Sequence, residues 1–202
     1  MVEIMADDVN ATPEPARLEG LARAAGSGEG LPPVHLWHPP HCGDIGLKIA
    51  RDGTWSCQGS AITRPALVRL FSTILRRDPD GHVLVTPVEK VAVEVEDAPF
   101  LAVSMRMEGE TLVFTTNVGD EVRAGADHPL RFETGPAEGV KPYVRVRGDL
   151  WALLTRALVY DLADLAHTRD ADGRLQTGVS SQGQFFVMDE GAAPAGATER
   201  NA

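Results

Sequence analysis

The stretch HLWHPPHCGD, residues 35–44, concentrates side chains that can bind a metal ion or attack as a nucleophile. Imidazole, thiolate and carboxylate groups are the ligands that zinc takes in proteins, and the stretch supplies His35, His38, His41, Cys42 and Asp44. A metal site would use His38, His41 and Cys42. Against it, Pro39 and Pro40 stiffen the segment, and the histidine spacing matches no standard zinc motif. The spacing favours a rigid lead-in to a strand, with exposed histidines and Trp37 packed on the core, and no cofactor is predicted.

Other candidate residues are more scattered. Cys42 precedes Gly43 and lies near Asp44, so it would be an activated thiol if a histidine lies close; a small buried apolar side chain is the alternative. Asn117, Asp120 and His128 follow strands in loops, where binding groups often lie, but turn chemistry also explains them. Arg145 could meet a carboxylate or phosphate ligand, or pair with neighbouring acidic residues.

Composition excludes several function classes. With 19 basic and 29 acidic residues the net charge is −10, which disfavours nucleic acid and anionic membrane surfaces as partners. The N-terminus lacks the basic and apolar regions of a secretory signal, and two cysteines are too few for a disulfide framework. A cytoplasmic protein is therefore expected. No phosphate-binding glycine loop, G-x-S-x-G or H-E-x-x-H motif occurs.

The periodicity of apolar residues predicts where the strands and helices lie. Alternating apolar residues around 45–49 and 54–57, separated by Arg51–Thr54, predict a hairpin. A helix capped by Thr63 is expected from Pro65 to Arg77, and a longer helix capped by Asp149 over 149–170. Strands are expected between these helices and after the second one, at 174–181 and 184–189.

The fold class is α+β, with two small β-rich units that each carry one main helix. Residues 1–30 are predicted to be poorly ordered, although Leu18 and Leu21 suit a short helix. The two units are expected at 31–96 and 97–190. Residues 191–202 are expected to form a flexible tail. In both units a helix is followed by a D-x-D-G turn and a strand, which suggests an internal structural repeat; a common turn motif explains the pattern equally.

In combination, CGDIGLKIARDGTW, GSAITRPALVRLFSTILRRDPDG, LVTPVEKVAVEVEDAPF, TNVGD and HPLR resemble DUF1285, a bacterial family of unknown function, from about Leu31 to Met188. The resemblance implies a two-part α+β fold with repeated elements and a suggested role in signal transduction. It brings no catalytic residue and does not require histidine at 38 or 41. The family-like positions are Trp37, Cys42, Gly43, Asp44, Arg51, Asp52, Gly53, Trp55, Arg64, Thr86, Pro87, Glu89, Asn117, Gly119 and Asp120.

Two hypotheses follow. The first is a non-enzymatic binding or regulatory module whose partner is a protein, a small molecule or a second copy of the chain. Its expected groove joins the loop of Cys42 and Asp44 to the loop of Asn117 and Asp120. The second is a metal- or thiol-dependent enzyme centred on Cys42, Asp44 and nearby histidines, which requires a distant partner such as Asp120 or His128 to converge on them.

Overall fold

The computed structural model describes residues 14–25, 30–135 and 139–190. The predictions for 1–13, 26–29 and the tail 191–202 lie outside the described residues. Helix α1, Glu14–Ala25, falls within the segment expected to be poorly ordered, and it is the short helix that Leu18 and Leu21 suit. Leu21 is fully buried and belongs to the core, which is why this helix is held in place.

The first unit is a six-stranded sheet with one helix on it. A short 3-10 turn, Val34–Leu36, leads into the sheet. The elements that follow are β1 His41–Ile49, β2 Trp55–Cys57, β3 Ser60–Ala61, α2 Pro65–Thr73, β4 Leu75–Asp78, β5 Gly81–Val85 and β6 Lys90–Val95. The strand order is β3-β2-β1-β6-β5-β4. The central pair β1–β6 is parallel and all other neighbours are antiparallel.

The second unit repeats this order. Its strands are β7 Phe100–Glu108, β8 Thr111–Thr116, β9 Glu121–Arg123, β10 Leu130–Gly135, β11 Gly139–Arg147 and β12 Leu150–Leu154. They are arranged β10-β11-β12-β7-β8-β9, again with one parallel pair, β12–β7, at the centre. Each unit is thus two antiparallel three-stranded meanders joined through their innermost strands, and the fold class predicted from the sequence is confirmed.

The chain then adds α3, Arg156–Asp164, and a three-stranded sheet of β13 His167–Ala171, β14 Arg174–Ser181 and β15 Gln184–Glu190. Both D-x-D-G turns join the strands of a hairpin that follows a helix. The hairpins differ in place, however. The hairpin after α2 forms one edge of the first sheet, whereas the hairpin after α3 belongs to the separate third sheet. The internal repeat therefore lies in the sheet order, and the D-x-D-G pattern does not mark equivalent positions.

Both long helices predicted from the sequence are shorter in the structure. Leu150, Ala152 and Leu154 are buried at alternating positions, so this segment is strand β12, and α3 begins only at Arg156. Likewise α2 ends at Thr73, and Arg76 and Arg77 lie in β4. Pairing with β5 and with β7 outweighs local helical periodicity at both places. Neither Asp149 nor Thr63 caps a helix, because the N-cap residues are Thr155 and Arg64.

The core is continuous across both units. It includes Leu47, Trp55 and Phe71 from the first unit and Phe100 and Phe114 from the second. The strand and hairpin predictions for 45–57, 174–181 and 184–189 are confirmed. No helix of the described residues is long and apolar enough to cross a membrane.

Candidate ligand sites between the two units

The histidines of the segment that leads into β1 are exposed to solvent. His35, His38 and His41 are exposed, whereas Trp37 is partly buried against the core. Within 14–25, 30–135 and 139–190, no three His, Cys, Asp or Glu side chains group as a metal site would require.

Cys42 and Asp44 serve the local backbone of β1. The Cys42 thiol donates to the carbonyl of Pro40 at 3.7 Å. Asp44 Oδ1 accepts the backbone N–H of Gly46 at 2.7 Å, where the strand register shifts. Both side chains are exposed. Their contacts are those of a strand entrance.

The predicted groove between the two loops does not form. Cys42 and Asp44 lie at the start of β1, while Asn117 packs beside Gly53, in the turn after its end. Strand rise puts roughly 20 Å between these two places. Asp120, near Asn117 in sequence, is bound to Arg147, whose Nη1 lies 2.6 Å from Asp120 Oδ2 and whose Nη2 donates to the Ser72 carbonyl at 2.7 Å.

Asp120 and Arg145 therefore have structural partners. The Asp120–Arg147–Ser72 contacts join the second unit to α2 of the first. Arg145 Nε donates to the carbonyl of Gly148, closing the turn between β11 and β12. His128 Nδ1 lies 3.0 Å from the Arg145 carbonyl oxygen, so this loop histidine fixes the β11 backbone.

Asn117, in contrast, opens onto a cavity of about 550 Å³ between the two units, which we name the α2 cavity. Its described lining residues include the polar Thr63, Arg69 and Asn117 and the apolar Ile62, Pro65, Ala66, Val68 and Val118, with Gly53. Of these nine described lining residues, none is Asp or Glu. Arg69 is the single charged side chain among them, so the described lining carries a net positive charge.

Arg69 is held through one nitrogen. Its Nε donates to the Val118 carbonyl at 3.0 Å, which bridges α2 and the β8–β9 turn. Gly119 makes room for the guanidinium, since a Cβ there would lie 2.7 Å from Nη2. The outer face of the guanidinium is exposed and borders the cavity. A guanidinium oriented in this way can donate to both oxygens of a carboxylate or phosphate.

Asn117 is oriented in the same manner. Its side-chain Oδ1 accepts the backbone N–H of Leu101 at 3.0 Å, and the backbone N–H of Asn117 donates to the Leu101 carbonyl at 2.8 Å. The amide is thereby fixed with Nδ2 as the group left to donate. Gly53, at φ +81°, allows close approach, because a Cβ there would lie 2.8 Å from Nδ2.

A second cavity, of about 290 Å³, lies where the chain passes from the first unit to the second; we name it the linker cleft. Asp97, Ala98 and Pro99 form its floor. Arg77 and His82 line it from the first unit, and Arg131, Glu133, Tyr143, Asp149 and Trp151 line it from the second.

Asp97 is the structural centre of the linker cleft. Its side chain is only 8% exposed and contacts Arg51 Nε at 3.4 Å and Lys141 Nζ at 3.2 Å. Tyr143 Oη donates to Asp97 Oδ1 at 2.7 Å. Burial and this carboxylate raise the pKa of Tyr143, so the phenol stays protonated. Asp97 thus fastens the first-unit turn and β11 to the linker between them.

His82 is neutral at physiological pH. Burial and then the charge of Arg77 lower its pKa to about 4, although Asp149 acts in the opposite direction. Arg77 Nη1 lies 3.2 Å from His82 Nδ1, and because a guanidinium can only donate, Nδ1 is the acceptor. The neutral ring then carries its proton on Nε2.

Sequence reasoning found Asn117 but missed Arg69 and Asp97. Arg69 lies on a helix whose apolar periodicity draws attention to its neighbours, and its role depends on the distant Val118 carbonyl. Asp97 follows an acidic strand end, and its burial distinguishes it from Glu94 and Glu96, which also have distant donors but are much more exposed.

Comparison with known proteins gives the family. The N-terminal domain model of DUF1285, a domain of unknown function, matches residues 32–98, and the C-terminal domain model matches 99–188. The two matches meet at Ala98–Pro99, in the floor of the linker cleft. No curated protein matches the chain.

Two solved structures are similar. A DUF1285 family protein from Silicibacter pomeroyi DSS-3 is 48% identical, with a TM-score of 0.78 over 86% of this chain and 94% of that one. A DUF1285 family protein from Shewanella baltica OS155 is 29% identical, with a TM-score of 0.49 over 59% of this chain and 91% of that one. By its two domain matches and the first of these relatives, the chain belongs to the DUF1285 family.

Proposed function

We propose that this protein is a regulatory binding module with a role in signal transduction, and that its ligand is a small organic anion held in the α2 cavity. The observation that carries the proposal is the polarity of the described cavity wall. It presents the N–H groups of Arg69 and Asn117 and no carboxylate, in a chain of net charge −10. Such a wall selects negative charge where the rest of the molecule repels it.

The geometry suits an anion with an apolar body. Arg69 and Asn117 are each fixed through one atom, so a ligand meets donors that need no reorientation. Ile62, Pro65, Ala66, Val68 and Val118 add apolar lining, and the volume of about 550 Å³ lies within the range of small-molecule sites. The nine described lining residues include no aromatic ring, which favours an aliphatic body over a stacked base.

Regulation follows from the position of the cavity. Arg69 and Thr63 belong to the first unit, and Asn117 and Val118 to the second. A ligand that touches both units stabilises the arrangement in which they are packed this way. The bound form would then be what a downstream partner recognises. A protein partner, a homodimer and a cytoplasmic location stay predictions, as does the metal- or thiol-dependent enzyme centred on Cys42, Asp44 and nearby histidines.

The test is calorimetric titration of the full chain with aliphatic monocarboxylates and monoalkyl phosphates of increasing chain length. We expect binding that strengthens with chain length, and about a tenfold to hundredfold loss in Arg69→Gln. Arg64→Gln is the matched control, because Arg64 is also exposed at the start of α2 but lines a neighbouring groove.

Asn117→Asp sharpens the test. The carboxylate can still accept the Leu101 N–H but replaces the donor Nδ2 with a negative oxygen. We expect it to abolish anion binding and leave the folded state intact. Absence of binding for every probe at millimolar concentration would contradict the proposal, and so would an equal loss in Arg64→Gln and Arg69→Gln.

A further inference from the structure

The linker cleft differs from the α2 cavity in that it presents both signs of charge. Asp97 is not available to a ligand, because Tyr143, Lys141 and Arg51 already surround its carboxylate. The groups that remain lie on two sides of the cleft, one contributed by each unit.

The first-unit side supplies donors. Arg77 is exposed and uses Nη1 for His82, which leaves its other N–H groups for a ligand. His82 adds a neutral N–H at Nε2. This side therefore combines one full positive charge with an additional donor.

The second-unit side supplies acceptors. Asp149 uses Oδ1 to accept the indole N–H of Trp151 at 3.0 Å and is otherwise exposed. Arg131 lies over the rings of Tyr143 and Trp151, at 4.9 and 4.4 Å from their centroids. Its Nη2 is 3.1 Å from Glu133, so the positive charge of this side is paired and drawn onto the aromatic wall.

We propose that the linker cleft binds a small zwitterion of the α-amino-acid class, with its carboxylate against Arg77 and its ammonium against Asp149. The volume of about 290 Å³ suits a ligand smaller than those of typical drug-sized sites. Arg77 and His82 line the same cleft as Asp149, so both charged groups face one volume. The site is independent of the α2 cavity and stands whether or not that cavity binds anions.

The chain offers a direct spectroscopic readout. Its three tryptophans, Trp37, Trp55 and Trp151, give three indole N–H signals in a proton–nitrogen correlation spectrum of the full chain. Because the Trp151 indole donates to Asp149, an ammonium bound there should shift this signal. The Trp55 indole is buried in the core without a hydrogen-bond partner and serves as the internal control.

The experiment begins with a pool of the twenty standard L-amino acids at millimolar concentration. The amino acid that shifts Trp151 most is then compared with its N-acetyl and carboxamide derivatives. We expect each derivative to bind about tenfold or more weakly, since each removes one charge–charge contact. No shift at Trp151 with the pool, or equal binding of either derivative, would overturn the proposal.

Variants give the second arm. Arg77→Gln and Asp149→Asn keep a donor for His82 and an acceptor for Trp151, so each removes charge with little structural change. Both should weaken binding by about tenfold or more. Arg106→Gln is the control, because Arg106 is exposed and its partners are Glu108 and Glu121, which do not line the cleft. An equal loss in Arg106→Gln would show a general charge effect and overturn the site.

Discussion

The two cavities between the units contain polar side chains that differ in how much of their hydrogen-bonding capacity is already used. In the α2 cavity, the Arg69 side chain donates one hydrogen bond and the Asn117 side chain accepts one, which leaves further N–H groups on both lining residues. At the base of the linker cleft, Asp97 is only 8% exposed and has three partners. A polar group with unused capacity can bind a ligand, whereas a saturated and buried one holds the fold together.

The difference also separates stability from binding. Removing an exposed donor costs the folded state little, because water replaces the lost contact. Removing a buried acceptor strands the charges that it compensated. Substitution of the buried Asp97 and substitution of the exposed cavity donors should therefore affect different measurements.

The largest effect is expected from Asp97→Ala. It leaves the partly exposed Lys141 and the buried Tyr143 hydroxyl without the carboxylate that they share. We expect a loss of about 3 kcal/mol in the free energy of unfolding, measured by urea denaturation, because hydration of the exposed cations offsets part of the cost. Asp164→Ala removes an exposed carboxylate from α3 and should change it by less than about 0.5 kcal/mol. Equal effects would mean that Asp97 does not join the units.

A smaller effect is expected from Gly53→Ala, on the α2 cavity side. The substitution strains a left-handed backbone and places a Cβ 2.8 Å from Asn117 Nδ2. We expect a loss of about 2 kcal/mol in stability and weaker anion binding, because the Asn117 amide must move.

Gly109→Ala is the matched control for that substitution. Gly109 has φ +60°, but a Cβ there meets nothing within 4 Å. It should show the cost of backbone strain alone, about 1 kcal/mol, with anion binding unchanged. If both variants bind anions like the unmodified protein, the close approach of Gly53 to Asn117 has no part in the site.

The smallest effect concerns pH. The pKa of His82 falls from 6.5 to about 4 on folding, chiefly through burial, so the unfolded chain takes up this proton more readily. The resulting stabilisation is present above pH 6.5 and is lost as the pH falls toward 4. We expect it to be about 1 kcal/mol, reduced from the full shift because the ring keeps part of its solvent contact.

The pH-dependent stabilisation by His82 is measured by urea denaturation of the unmodified protein and of His82→Asn, compared from pH 7 to pH 4.5. The asparagine can still accept from Arg77 but does not titrate in this range. The free energy of unfolding of the unmodified protein should fall relative to that of His82→Asn as the pH falls. A constant difference would show that His82 is not protonated more easily in the unfolded chain.

Most elements with an alternating or short helical pattern could be read from the sequence. The β1–β2 hairpin, the start of α2 at Pro65 and the strands after the D-x-D-G turn at 170–173 follow from local chemistry, and the α+β class with it. The errors occurred at Arg76–Arg77 and Leu150–Leu154. There, apolar spacing is compatible with a helix, and only pairing with distant strands makes it a strand.

The candidate sites depended on long-range contacts still more. Sequence alone determined the acidic balance, the turn residues and the family resemblance, and it identified Asn117 as a loop residue of interest. It could not show that His38, His41 and Cys42 point to solvent, because rigid spacing does not reveal orientation. The tertiary structure alone placed Arg69 and Asn117 in one cavity and surrounded Asp97 with three donors from two distant segments, the turn after β1 and strand β11. Burial and orientation decide whether a polar side chain can bind a ligand or instead stabilises the fold, and both are set by residues that are distant along the chain.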